Sequence, residues 1–309
     1  MRRIAFRRTT GCLVLVIAVF AAVAAGVGMF GSGGPGPWEH VSVRGETVRI
    51  FGRGVYQHMS EDVAPQGIAQ DVVTFFIAVP LLLRAYPRAG DGSAGRKLFL
   101  AGTLLYFLVT YTFYLAMGTY SALFPVYVLL AGTSAFAFGL ALADLSFDEV
   151  RTAYAGEKIH KVSGVFLLFS SCSVIALWLG VIVPPLLDGS VIPKAVEHYT
   201  TLIVQGFDLA FLLPLSLVAG VQLVRRVPFG LLLGAVYLVF LSFLMTALTA
   251  KVLAMAFLGQ NVVPVIFLIP SQAAVTVVCA YLLLRAFGKR REETPNPQEE
   301  IRRTSLDCS

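Results

Sequence analysis

Eight apolar runs, separated by short polar or charged segments, constrain this chain more than any other feature. They extend from Cys12 to Phe30, Ile68 to Leu83, Leu98 to Gly118, Leu123 to Leu145, Val162 to Leu187, Thr201 to Val224, Phe229 to Leu258 and Val262 to Phe287. A helix needs about 20 apolar residues to cross the hydrocarbon core of a bilayer, and inside it every backbone N–H and C=O must find its partner within the span. The chain is therefore expected to be all-α, an integral membrane helical bundle of about eight transmembrane helices. Composition agrees: 57% of the 309 residues are hydrophobic and 14% charged, against about 45–50% and 25% in soluble domains. A mean hydropathy of +0.78 points the same way. These values exclude a secreted disulfide scaffold, a disordered chain and a nucleic-acid-binding domain. The four cysteines are scattered, with no CxxC and no zinc-ligand spacing.

Basic residues set the expected direction. With the N-terminus inside, the inner segments hold nineteen Lys and Arg and the outer loops four, namely Arg44, Arg49, Arg53 and Lys194. This bias is expected to place both termini on the cytoplasmic side of a plasma membrane, and it accounts for the net charge of +6 without a nucleic-acid partner. The first run, after Arg2, Arg3, Arg7 and Arg8, is long for a signal peptide and reads as an uncleaved helix. Residues 1–287 form the expected transmembrane domain. Its outer loop 32–66 carries a candidate β-hairpin around Arg44-Gly45-Glu46. Residues 288–309 are rich in charge and Pro and are expected to be a disordered cytoplasmic tail.

The two halves share a pattern that suggests a four-plus-four parallel repeat. Span two carries Asp71 and then Pro80, and span six carries Asp208 and then Pro214. Each has basic residues after its end and an outer His, His58 or His198, before its start. Small residues recur every four positions at Ala18, Ala22 and Gly26, and at Ala131, Ala135, Gly139 and Ala143, as in closely packed membrane helices. The segments Gly52–Tyr56, Asp71–Leu83 and Leu98–Phe107 resemble an uncharacterised group of prokaryotic multi-pass membrane proteins. That resemblance implies a multi-pass fold and carries no activity or functional residue.

Three ionisable residues inside the spans need explanation: Asp71, Asp208 and Lys251. A charge at the centre of a helix costs at least about 2.5–3.5 kcal/mol on insertion scales, so such residues are paired or functional. Asp208 and Lys251 lie at matched depth, which predicts a pair, with Gln205 as another partner for Asp208. Lys251 snorkelling to the headgroups is the plainer alternative. Tyr106, Tyr111, Tyr114 and Tyr120 crowd the outer half of span three, as an aromatic belt or as the wall of a polar cavity. Ser170, Ser171 and Ser173 are expected to bond their own helix. His58 and His198, with Glu61, Asp62 and Glu197, form a weak candidate metal set.

No P-loop, GxSxG, HExxH or redox CxxC occurs, and no loop is long enough for a soluble catalytic domain. The leading expectation is a transporter-like or small-molecule-binding membrane protein with a polar site in the outer half. There Asp71, Asp208, Lys251, Gln205 and Tyr111 would contact an unknown small molecule or ion. The second is a non-catalytic interaction protein using the outer loop. The third is an outward-facing metal-dependent enzyme using His58 and His198. The sequence names no cofactor.

Overall fold

The computed structural model describes residues 2–288 apart from 91, 157 and 264, with side chains from 7 to 287. All eight runs are helices long and apolar enough to cross a membrane. They are α1 (Arg2–Phe30), α2 (Ala64–Ala89), α3 (Ala94–Ala116), α4 (Phe124–Ala143), α6 (Ile159–Asp188), α7 (Ile203–Val224), α8 (Pro228–Phe257) and α9 (Val265–Gly288), with a short α5 (Phe147–Ala153) between the halves. The protein is a multi-pass all-α membrane bundle. The tail expected to be disordered lies, from residue 289, outside the described residues.

Local chemistry sets the ends. Ser146 accepts a hydrogen bond from the Glu149 N–H and starts α5, and the left-handed Gly189 (φ 83°) stops α6. Several helices begin more polar than the apolar runs suggest. Helix α2 starts at Ala64 rather than Ile68, because Pro65 suits a first turn that lacks an N–H partner.

Helix pairing is the same in the two halves. In the first, α1 packs on α2 and α4, and α3 packs on α2 and α4. In the second, α6 packs on α7 and α9, and α8 packs on α7 and α9. Helix α3 meets α8 along the seam between the halves, where Gly102 lies so close to Val239 that a Cβ would collide with its side chain. The stripe Ala131, Ala135, Gly139 and Ala143 plays no such part within the chain. Ala135, Gly139 and Ala143 are exposed, Gly139 with no neighbour within 4 Å of a Cβ, while Ala131 is half-buried against the core; α4 instead buries Leu130, Ser134, Ala137 and Ala141.

The second span of each half, α2 and α7, widens into a π-helical turn ahead of its proline, Thr74–Ala78 in α2 and Asp208–Leu212 in α7. Each turn ends two residues before its proline, Pro80 or Pro214. Proline has no N–H to give and its ring crowds the carbonyl four residues back, which here is Phe76 or Ala210, inside the widened turn. Setting Pro80 on Pro214 places Asp71 opposite Gln205 and Thr74 opposite Asp208, so the two aspartates are not equivalent positions.

The hairpin forms as expected, with β1 (Trp38–Val41) antiparallel to β2 (Thr47–Ile50). The Ser42 hydroxyl accepts from the N–H groups of Arg44 and Glu46 and shapes the turn. The hairpin docks on the loop before α7. The Arg44 guanidinium donates to the Glu197 and Tyr199 carbonyls at 2.7 and 2.5 Å, and the Ser60 N–H donates to the Tyr199 hydroxyl. This is the hairpin end of the bundle. The opposite end, where α2 passes to α3 and α7 to α8, is the basic end.

Candidate functional site

A buried carboxylate stands at the hairpin end between the halves. Asp71 is 5% exposed. Its Oδ2 accepts from the Tyr56 hydroxyl at 2.5 Å and its Oδ1 from the Tyr114 hydroxyl at 3.1 Å; the two hydroxyls are 3.0 Å apart. Tyr114 also reaches the Gly67 carbonyl at 3.3 Å. Burial first, and the Asp71 carboxylate second, raise the Tyr56 phenol well above its ordinary value of 10, so it remains a donor. Two glycines make the room: at Gly28 of α1 a Cβ would collide with the Asp71 carboxylate, and at Gly67 it would sit 2.7 Å from the Tyr56 ring.

Tyrosines extend the site. The Tyr114 and Tyr127 rings stack with centroids 5.0 Å apart, and Tyr111 stacks on Tyr127 at 6.1 Å. One turn further along α2, the Tyr106 hydroxyl accepts from Gln70 Nε2 at 2.7 Å and meets the Thr74 hydroxyl at 2.9 Å. The belt expected from Tyr106, Tyr111 and Tyr114 is therefore not interfacial: they are 0%, 2% and 8% exposed, and only Tyr120, at 74%, stands at the surface. The second half uses a related contact, because the Tyr237 hydroxyl of α8 donates to the Leu212 carbonyl in the π-turn of α7 at 2.8 Å. In each half a tyrosine of the third span braces the widened turn of the second.

Asp208 is half-buried, and its carboxylate accepts from Trp178 Nε1 of α6 at 2.9 Å. The expected direct pair with Lys251 does not form: among the described residues no ion pair or hydrogen bond reaches Lys251 Nζ. Lys251 acts on Asp208 and Asp71 at longer range, as the shared positive charge between them. Gln205 does not bond Asp208 through its side chain; its carbonyl accepts from the Asp208 N–H. The two halves differ here for a packing reason. The first turns of α2 lie against α8 and bury Gly67, Gln70 and Asp71, whereas Ile203–Phe207 of α7 buries no residue.

The histidines hold the loops together. The His198 ring nitrogen Nε2 bonds the His58 backbone carbonyl at 2.9 Å rather than sharing a ligand with its imidazole, and its ring lies edge-on to His40. Among the described residues no three His, Cys, Asp or Glu side chains are placed to hold a metal ion. Of the serines in α6, Ser173 bonds its own helix at Phe169, but Ser170 crosses to Gln272 of α9 at 2.7 Å.

Residue-by-residue reading missed Tyr56, Tyr127, Trp178 and Gly28. A signal for the tyrosine wall was present, because Phe107, Tyr111 and Tyr114 follow four-then-three spacing on one helical face. The geometry defines a multi-pass helical membrane protein in which a buried carboxylate, Asp71, is bonded by two tyrosines and forms a candidate site. Compared with known proteins, the chain matches no family model, no curated protein and no solved structure.

Proposed function

We propose that the protein is transporter-like and binds a small molecule or ion in the hairpin-end half of the bundle. The reading rests on Asp71, a buried carboxylate held by two tyrosine hydroxyls where the halves meet. An ionisable group at such a position in a membrane bundle is a site of binding or proton exchange unless a partner neutralises it. Asp71 and Asp208 are the contacting or titrating groups, Lys251 is their counter-charge, and Tyr111 and Gln205 line the approach. The paired halves and the π-turns beside the acidic residues support this reading. Irregular helix in a membrane is tolerated mainly where it is buried in protein or lines a cavity, and transporter sites sit at repeat interfaces.

The test is ligand binding by protein reconstituted in nanodiscs, across a panel of metabolites and ions, with Asp71→Asn and Lys251→Met. The expected result is a ligand whose affinity falls at least about tenfold in each variant, about 1.4 kcal/mol. A ligand bound equally by all three proteins would sink the proposal.

One observation favours an interaction role for the loop 32–66: Val41 and Val43 stand 62% and 95% exposed at the hairpin tip. Under that reading, Val41→Ser with Val43→Ser abolishes co-purification of a partner and leaves small-molecule binding untouched.

A further inference from the structure

At the basic end, a cavity of about 490 Å³ opens among α1, α2, α3 and α4. This lies at the other end of the bundle from the Asp71 site. Arg7 and Arg8 of α1 and Lys97 of α3 line it, together with Tyr86 of α2, Gly90, Gly92 and Asp144. Ala89, Leu100 and Ala141 supply an apolar floor. The volume falls in the range of small-ligand pockets, about 300–1,000 Å³.

The charges divide in a specific way. Lys97 is already matched: its Nζ lies 3.1 Å from Asp144 Oδ2 and 3.2 Å from Glu149 Oε1, and donates to the Asp144 carbonyl at 3.0 Å. Arg7 and Arg8 are exposed, and among the described residues neither guanidinium forms an ion pair. Like charges on adjacent residues are held at one cavity wall, and the one described carboxylate of the lining, Asp144, is already matched to Lys97. The wall is built rather than loose. The Tyr86 hydroxyl donates to the Arg7 carbonyl at 2.8 Å, the Tyr86 ring packs on Gly11 where a Cβ would collide with it, and the Arg7 guanidinium lies on Gly90 in the space a Cβ would take.

We propose that this cavity binds a phosphate-bearing anion, with Arg7 and Arg8 as the phosphate ligands and the Tyr86 hydroxyl as an additional polar contact. A guanidinium offers a planar fork of donors that fits phosphate oxygens in pairs. The apolar floor beneath the cationic wall suits an amphiphile, in which a polar head meets the start of a hydrocarbon chain. Basic pockets between membrane helices take phospholipid headgroups on the same principle. The shared chemistry is the phosphate, delivered by an anionic lipid or by a free phosphate ester.

The experiment is thermal unfolding of the full chain in a neutral detergent. The added probes are phosphatidylglycerol, phosphatidylcholine and glycerol phosphate, each tested separately. Phosphatidylglycerol is expected to raise Tm by roughly 5 °C more than phosphatidylcholine. An equal rise with glycerol phosphate assigns a free phosphate ester; a rise with the lipid alone assigns the headgroup. Arg7→Gln with Arg8→Gln removes the rise. Ala89→Leu, which fills the floor without changing charge, removes it too and covers the case in which the arginine variant fails to insert. Arg225→Gln with Arg226→Gln, at the same end but outside the cavity, retains it. Equal shifts from both lipids, or a shift lost equally in the Arg225 and Arg226 variant, would overturn the proposal in favour of general charge attraction.

Discussion

Asp71 shows how one residue is made tolerable inside an apolar bundle. Its two oxygens take hydroxyl donors from a loop tyrosine and a helix tyrosine, and glycine on α1 lets the carboxylate sit against the backbone. Hydrogen bonds to a charged group contribute about 1.5–3 kcal/mol each, and a buried donor left alone costs a comparable amount. Tyr56→Phe is therefore expected to lower stability by about 1.5–3 kcal/mol. Combined with Tyr114→Phe, the loss should depart from the sum of the single losses, because the two hydroxyls also touch each other. Chemical denaturation in detergent of the two single variants and the double variant measures both numbers. Lys251 is a different case. It makes no direct bond to Asp208 and acts on it only at longer range, so Asp208→Asn and Lys251→Met should couple weakly, by about 0.5–1 kcal/mol rather than the roughly 3 kcal/mol of a close buried pair. Recovery of folded yield in the double variant would instead reveal a direct ion pair.

At the scale of elements, close approach decides which glycines matter. Gly102 lies on the α3–α8 seam against Val239 and the Val236 carbonyl, whereas Gly139 of α4 meets nothing. Gly102→Leu should destabilise by about 1–3 kcal/mol through overpacking, and Gly139→Leu should leave unfolding unchanged. Parallel thermal melts of the two variants distinguish them. The hairpin adds a pH-sensitive contact. Glu197 lies where Arg44 grips the loop before α7, in a backbone conformation with φ 49°. Burial raises its carboxyl above the ordinary value of 4.5, against the lowering effect of the Ser60 hydrogen bond. A raised folded value means that the docked state holds the proton more tightly. Docking is strongest below 4.5 and weakens as the pH climbs through the raised value. A spin label at Val43 should become more mobile over that range in the wild-type chain and show no such change in Glu197→Gln.

At the scale of the whole molecule, two bundles of like pairing are joined along α3 and α8, and their departure from symmetry buries one carboxylate more deeply than the other. Helix α2 leans its first turns on α8, so Asp71 is enclosed; α7 leaves its first turns unburied, so Asp208 stays half-buried beside Trp178. Eight spans also place the hairpin and the α7–α8 turn on opposite faces. Single cysteines at Val43 and at Arg226 should react with an impermeant thiol reagent from opposite sides of sealed vesicles. Reaction of both from one side would break the eight-span topology.

The sequence by itself determined the spans, the hairpin and the presence of a few costly charges. Hydropathy is a local property, and lipid forces each span to satisfy its own backbone, so span and helix nearly coincide. Turn chemistry is local too, which is why Arg44-Gly45-Glu46 marked the hairpin. Tertiary structure alone decided which face of each helix turns inward. In a soluble protein the apolar stripe answers that question, but here lipid and interior are equally apolar and the stripe disappears. The tyrosines of α3 therefore fit an interfacial belt or a cavity wall equally well in sequence, and packing alone buries Tyr106, Tyr111 and Tyr114 and brings Tyr114 to Asp71. For the same reason the small residues of α4 suggest a packing seam, yet Ala135, Gly139 and Ala143 face outward. Asp71 and Asp208, alike in sequence, were separated only by how the neighbouring helices closed over them.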